Sequence, residues 1–276
     1  VIGYAVSPTP ELASFRLRVA LPAAHLGMDY AIGAPGDVTF MYKLGDPDLA
    51  RQCGPVVFDV VNDHFERYAS VVEMCRIAHT ITAGSRLMAA RVRQATGREA
   101  LVIDDPYEDA EGHVACDGDH VAWFGHLVNL PSLNRYGLKD AGLKLRICTN
   151  YAAPGIVPWS RSGELSMIQD AAVVLLTGTN PGASSNRVVK ALRVGRFVVA
   201  PEDCAESWRE FSDFIWIGDV LEGIRWAFSN RGEACRKVRA GQQAIRQRFS
   251  PRLIGSQWAG LFGSIMERGT STMRAG

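Results

Sequence analysis

The stretch Ser184-Ser185-Asn186-Arg187, with Lys190 one turn further on, sets small hydroxyl side chains and two cations at what reads as the start of a helix. A helix N-terminus carries unpaired N–H groups and partial positive charge, so it binds anions, and Arg187 and Lys190 add formal charge beside it. Val188, Val189 and Leu192 recur at helical spacing, Gly195 can supply a left-handed cap, and Phe197–Ala200 reads as a short buried parallel strand. An ordinary helix-to-strand unit with solvated basic side chains would look the same, so the stretch needs company. It has some. Gly125, His126 and Asn129 follow the apolar run Val121–Phe124, Asp63 and His64 follow Pro55–Val61, and Lys43 closes Asp37–Lys43. Ser14, Arg16 and Arg18 come soon after Ile2–Val6. Polar groups at several independent strand ends point to one shared cleft. Gly125 allows close backbone approach to an anion, and Asp63 and His64 are placed as candidate general bases, with Arg16 and Lys43 as cationic neighbours. Asp59, inside its strand, reads as structural.

The elements that position these residues alternate strand and helix in both halves, which implies parallel sheets covered on both faces. In the first half, strands are expected at Ile2–Val6, Asp37–Lys43, Pro55–Val61, Thr80–Ala83 and Ala100–Ile103. Residues 104–119, rich in Asp, Glu and Gly with Pro106, break the pattern and read as a linker. Alternation resumes with strands at Val121–Gly125, Lys144–Thr149, Ala172–Leu176, Phe197–Ala200 and Phe214–Ile217, a helix from Asn129 onward, and closing helices near 220–228, 233–248 and 251–266. The expected layout is a Rossmann-like domain over 1–107, a linker over 108–119, a second such domain over 120–267 and a tail over 268–276. Ligands of such sheets bind beyond the carboxyl ends of the strands.

At 276 residues and 47% hydrophobic content the chain has ample material for two cores. No run approaches a membrane span and no secretory pattern opens the chain. The six cysteines, at 53, 75, 116, 148, 204 and 235, form no CxxC pair, which argues against a zinc cage or disulfide framework and for a cytoplasmic protein. The GxGxxG, P-loop, GxSxG and HExxH patterns are absent, which demotes nicotinamide oxidoreductases, P-loop enzymes, serine hydrolases and zinc proteases.

Three segments in order resemble the donor-binding domain of GT-B glycosyltransferases, more narrowly the family-4-like bacterial and phage enzymes. They are Trp123-Phe124-Gly125-His126; Trp159-Ser160 followed by Ala171–Leu176; and Ser185-Asn186-Arg187 with Ala191-Leu192 and Gly195–Ala200. Ser14–Arg18 and Val56–His64 are similar to the acceptor-side domain. The resemblance implies an α/β chain of two Rossmann-like domains facing across a cleft, with helices closing the chain. The implied activity is sugar transfer from a nucleotide-diphosphate sugar, a UDP-sugar first, to an acceptor hydroxyl, with no metal or other cofactor. Ser184, Ser185, Asn186, Arg187 and Lys190 would then meet the phosphates, Gly125, His126 and Asn129 would approach the donor from the facing loop, and the backbone at Val157-Pro158 would meet the base. Electrostatic preorganisation would stabilise the leaving diphosphate.

One departure stands out. Retaining members commonly carry two glutamates eight positions apart, and the matching positions here are Gly182 and Lys190. The sequence leaves open whether Lys190 meets phosphate or solvent, and whether the reaction inverts or retains. The acceptor is expected to be a glycan, a lipid-linked glycan, a protein or hydroxymethylated DNA. Residues 1–107 hold 12 acidic against 10 basic side chains, which counts against DNA, although Arg231, Arg236, Lys237, Arg239, Arg246, Arg248 and Arg252 form a basic stretch later on. A nucleotide-binding protein of the same fold without catalysis is the alternative.

Overall fold

Continuous β-branched and aromatic runs become central strands, and the amphipathic stretches between them become covering helices. The computed structural model describes residues 1–138, 141–177 and 180–273, with side chains to residue 268. The chain divides into two compact units: residues 1–108, 182–184 and from 249 on; and residues 109–181 with 185–248.

The first unit contains β1 (Ile2–Tyr4), then α1 (Ala13–Phe15) leading through a π-helical stretch (Arg16–Ala20) into α2 (Leu21–Ala24). There follow β2 (Tyr30–Ile32), β3 (Val38–Tyr42), α3 (Pro47–Gln52), β4 (Val56–Val60), α4 (Ala69–Ile77), β5 (Thr80–Ala83), α5 (Arg86–Thr96) and β6 (Leu101–Val102). All strands pair parallel, in the order β2-β1-β3-β4-β5-β6. The order reverses between β1 and β3, so the crevice beyond their carboxyl ends is this sheet's natural ligand position. β4 is buried along its whole length, which is why it reads as an apolar run interrupted only by Asp59. β2 and β6 are edge strands with exposed side chains; β6 lies inside the strand expected at Ala100–Ile103, whereas β2 is too short and too wet to announce itself in a hydropathy pattern.

The second unit contains β7 (Val121–Phe124), 3-10 turns over Leu127–Tyr136, β8 (Leu145–Thr149), β9 (Ile156–Pro158), α6 (Arg161–Gln169), β10 (Val173–Leu175) and α7 (Asn186–Arg193). It continues with β11 (Phe197–Ala200), α8 (Glu206–Arg209), β12 (Trp216–Ile217), α9 (Val220–Ser229) and α10 (Arg231–Arg248). Its parallel order, β12-β11-β10-β7-β8-β9, is the doubly wound Rossmann arrangement, with the switch point between β7 and β10. Where a helix was expected from Asn129, Pro131 removes an amide and the chain settles into 3-10 turns.

Two boundaries differ from the sequence reading. Residues 109–119 are no loose linker: Gly112 donates to the Arg193 carbonyl at 2.9 Å, Arg196 to the His113 carbonyl at 2.8 Å and Gln242 to the Gly112 carbonyl at 2.9 Å. The segment is a strap bonded into the second unit, its peptide groups paired at and just beyond the end of α7. The last helix, α11 (Pro251–Met273), was assigned to the second domain but packs in the first. Its Ile254, Trp258, Phe262 and Ile265 share one core with Ile2, Tyr4, Phe40 and Val57. On the other face of that sheet Met41, Phe58, Met74 and Met88 form a second core. Among the described residues no helix is long and apolar enough to cross a membrane.

Gly195 ends α7 in the left-handed region, at φ 93°, and a Cβ there would stand 2.3 Å from the His113 carbonyl oxygen. Gly195→Ala combines a φ penalty with a backbone clash against the strap, and a loss of about 2 kcal/mol or more is expected, read as a lower urea midpoint.

Candidate functional site

In the second unit, Gly125 directly follows β7 and Thr177 lies just past β10, so the two flank the switch point of the sheet. Arg187, in the first turn of α7, reaches the same place: its Nη2 donates to the Thr177 carbonyl at 3.1 Å. The guanidinium lies 4.9 Å from the Trp208 ring, a fully buried indole. Nη1 is buried and makes no hydrogen bond. Burial pulls the Arg187 pKa down to about 10, against the opposing charge of Glu164. A charged donor held dry and unsatisfied costs free energy that a bound anion would return. Gly125 keeps the approach open, since a Cβ would stand 3.1 Å from the Trp123 ring and 3.4 Å from Nη1. Thr177 fixes the surroundings: its hydroxyl accepts from Trp123 Nε1 at 3.0 Å and bonds Ser132 Oγ at 2.7 Å.

Lys190 follows Arg187 by one turn on the same helix face. It is neither solvated nor turned toward an open anion site: Nζ stands 2.6 Å from Glu164 Oε1 and 3.7 Å from Asp109 Oδ2. Glu164 is itself buried on α6 and accepts from Trp159 Nε1 at 2.9 Å. Ser160 caps α6 through the Gly163 amide, which orients that helix against β9, where Val157 pairs with Cys148. His126 caps the 3-10 turns through Nδ1, and its Nε2 lies 3.3 Å from Asn150 Nδ2. The Asn129 carbonyl accepts from Ser132 Oγ at 2.6 Å. Ser185 is buried at the start of α7 and makes no side-chain capping bond, and Asn186 opens the helix.

Ser184 departs from the expected cradle. It groups with the first unit, where its hydroxyl donates to Asp105 Oδ2 at 2.6 Å, and Gly182 beside it accepts from Ser85 Oγ at 2.9 Å. Asp105 completes a buried network: Arg18 bonds both oxygens of Asp59 at 2.9 and 2.5 Å, the Ile103 carbonyl at 2.5 Å and Asp105 at 3.3 Å, while Thr82 donates to Asp59 at 2.7 Å. Asp59 is structural, as its strand position suggested. Arg16 also has a structural engagement, bonding both oxygens of Glu108 at 2.6 and 2.9 Å and the carbonyls of Pro10 and Glu11. Asp63 is held by Arg91 at 2.8 Å, and the His64 ring meets Tyr68 edge-on. Lys43 stands at the end of β3, beside the switch point of the first sheet, with φ 63°. Burial lowers its pKa, and its ammonium lies 5.2 Å from the Tyr42 ring. A non-glycine residue in that region is strained, which marks the position.

Neither a family model nor a curated protein matches the sequence. Solved structures do. The chain is similar to Anabaena Alr3699/HepE, solved with UDP and glucose, at 15% identity and TM-score 0.67 over 94% of this chain and 84% of that one. AviGT4, a glycosyltransferase of avilamycin A biosynthesis, matches at 15% identity and TM-score 0.60 over 96% and 98%. Staphylococcus aureus TarM, solved with UDP, matches at 14% identity and TM-score 0.63 over 81% of this chain and 55% of that one. The chain has the GT-B fold of glycosyltransferases.

Within this GT-B chain the structure brings together Gly125 and Arg187, both singled out from the sequence, with Thr177, Trp208 and Glu164, which were not. The signal for Thr177 was available, since it follows β10 as Gly125 follows β7. Glu164 gave none: a carboxylate in the first turn of a capped helix has an ordinary electrostatic reason to be there.

Proposed function

We propose that the protein is a glycosyltransferase whose second unit binds a nucleotide-diphosphate sugar, with a UDP-sugar as the first candidate. The observation that carries this is the buried, unsatisfied Nη1 of Arg187 at the switch point of a doubly wound sheet, open through Gly125. Two of the structural neighbours were solved with UDP, which supports the nucleotide class. On this reading Arg187 and the first amides of α7 hold the diphosphate and stabilise the charge that develops as the sugar departs, without a bound metal. The acceptor supplies a hydroxyl group, on a glycan, a lipid-linked glycan or a protein; Lys43, Asp63 and His64 are the acceptor-side candidates of the first unit. All six cysteines are free thiols, which fits a reducing, cytoplasmic compartment.

The test is a thermal-shift screen with UDP-, GDP-, CMP- and TDP-sugars. A ligand at a hundred times its dissociation constant adds about 2.7 kcal/mol, a shift of several degrees for units of this size. No shift with any of them overturns the donor site. A shift without donor hydrolysis or transfer to any acceptor supports the non-catalytic binding protein instead.

A further inference from the structure

The Lys190–Glu164 pair is not needed for the anion site, yet it lies one helical turn from Arg187, and the Glu164 carboxylate is near enough for its charge to act on that guanidinium. We propose that Glu164 accepts hydrogen bonds from the ribose hydroxyls of the nucleotide, with Lys190 and Trp159 as the residues that position it. The inference rests on the nucleoside-diphosphate reading above and names how the same site reads the nucleoside.

Three observations carry it. Glu164 uses one bond on each oxygen, to Lys190 Nζ and to Trp159 Nε1. An ionised carboxylate offers about four lone-pair sites, so roughly two remain for new donors. The geometry of those two bonds fixes the rotamer, because the cation grips Oε1 while an indole standing just after β9 grips Oε2. The group it can serve follows from charge. A carboxylate repels a phosphate and is a strong acceptor for hydroxyls, and the sugar attached to a phosphate held by Arg187 carries two of them. Doubly wound sheets that bind nucleotides commonly use an acidic side chain for this contact.

Lys190 then has a role different from that of a phosphate ligand. It compensates the charge of Glu164 so that a carboxylate can stand beside the anion site, and Asp109, 3.7 Å from the same ammonium, anchors it from the strap. As a bare stability element the pair has little to recommend it, because a buried ion pair is often no better than an apolar pair of similar size.

The test compares affinities of UDP, GDP and ADP with those of their 2′-deoxy and 3′-deoxy counterparts by calorimetry. For the diphosphate that binds best, loss of one ribose hydroxyl should weaken binding to the wild-type protein roughly ten- to hundredfold, the range for a hydrogen bond to a charged group. The double variant E164M/K190M, which removes both members of the pair and leaves Asp109 its ion pair with Arg161, should bind the ribonucleotide and its deoxy counterparts with equal, weakened affinity. W159F, which frees Oε2 without touching a charge, should narrow the discrimination. Equal affinity of wild-type protein for ribo and deoxy forms overturns the proposal, and so does a double variant that discriminates as the wild type does. Failure of every nucleoside diphosphate to bind wild-type protein is a different outcome: it overturns the donor reading and this proposal with it.

Discussion

Replacing Arg187 by methionine should weaken nucleoside-diphosphate binding about a hundredfold or more while leaving the unliganded protein as stable as before, or slightly more so. Truncating the partner of a buried charge removes the charged hydrogen bonds and leaves the phosphate desolvated without compensation. The free protein meets the opposite situation. It already bears the cost of holding the guanidinium dry, with Nη1 unsatisfied and the pKa drawn down to about 10. Methionine keeps the packing on Trp208 and gives up one bond to the Thr177 carbonyl. Those terms offset each other to within about 2 kcal/mol. The sign of the pH dependence follows. A cation whose pKa is depressed by folding costs stability at neutral pH, and that cost fades as pH rises through 10. A bound phosphate favours the charged form, so binding takes up a proton above that pH and affinity should fall there. Calorimetry of UDP and of uridine from pH 7 to 10.5 checks both parts. Uridine should be nearly indifferent to R187M, and an equal loss for nucleotide and nucleoside would remove Arg187 from the phosphate.

Asp59→Ala should cost about 3–5 kcal/mol of folding stability, because it leaves the buried Arg18 guanidinium short of its bidentate partner. Asp59 is fully buried and Arg18 nearly so, and Thr82 loses its acceptor in the same substitution. Arg18 would retain the Ile103 carbonyl and Asp105, whose own carboxyl pKa is pushed up by burial against the pull of Arg18. Removing both partners is expected to be milder than the sum of the single losses. R18M/D59L replaces the pair with apolar side chains that can rest on Trp258, where the guanidinium now stacks at 5.2 Å. Denaturant midpoints for R18M, D59L and the double complete a cycle with an interaction term of about 1–3 kcal/mol. Strictly additive losses would show that the two groups are independent.

How much of this was legible follows from which interactions are local. β7 and β11 were visible because strands buried on both faces are continuous apolar runs, and β4 because only Asp59 interrupts one. β2 and β9 were not, because three-residue strands at sheet edges alternate too briefly to show a period. The α3 helix had a readable signal in Asp46-Pro47, and Asp46 does accept from the amides of Asp48 and Leu49. The place of Arg187 at a helix start could be read, since capping and spacing are local. Its orphaned Nη1 could not, because burial is decided by Trp208 and Trp123 from distant segments. The ion pair of Lys190 was hidden for the same reason. Only the folded chain brings Glu164, 26 residues earlier, against it. Arg18 looked like one more cation after the first strand, and its network with Asp59 and Asp105 spans 41 and 87 residues of chain.

The placement of α11 has a consequence for how the molecule is made. Ile254, Trp258, Phe262 and Ile265 cover the face presented by Ile2, Tyr4 and Phe40, so β1 and β3 are covered by a helix made only after the whole second unit. The second unit draws chiefly on an uninterrupted length of chain and can close first during synthesis. Until α11 emerges, that side of the first sheet is covered only by the segment holding Phe15, Val19, Ala23 and Leu26, and part of its aromatic surface stands in water. A polypeptide stopped after Arg248 would therefore carry a finished second unit and an adhesive first one, the kind of nascent chain that chaperones retain.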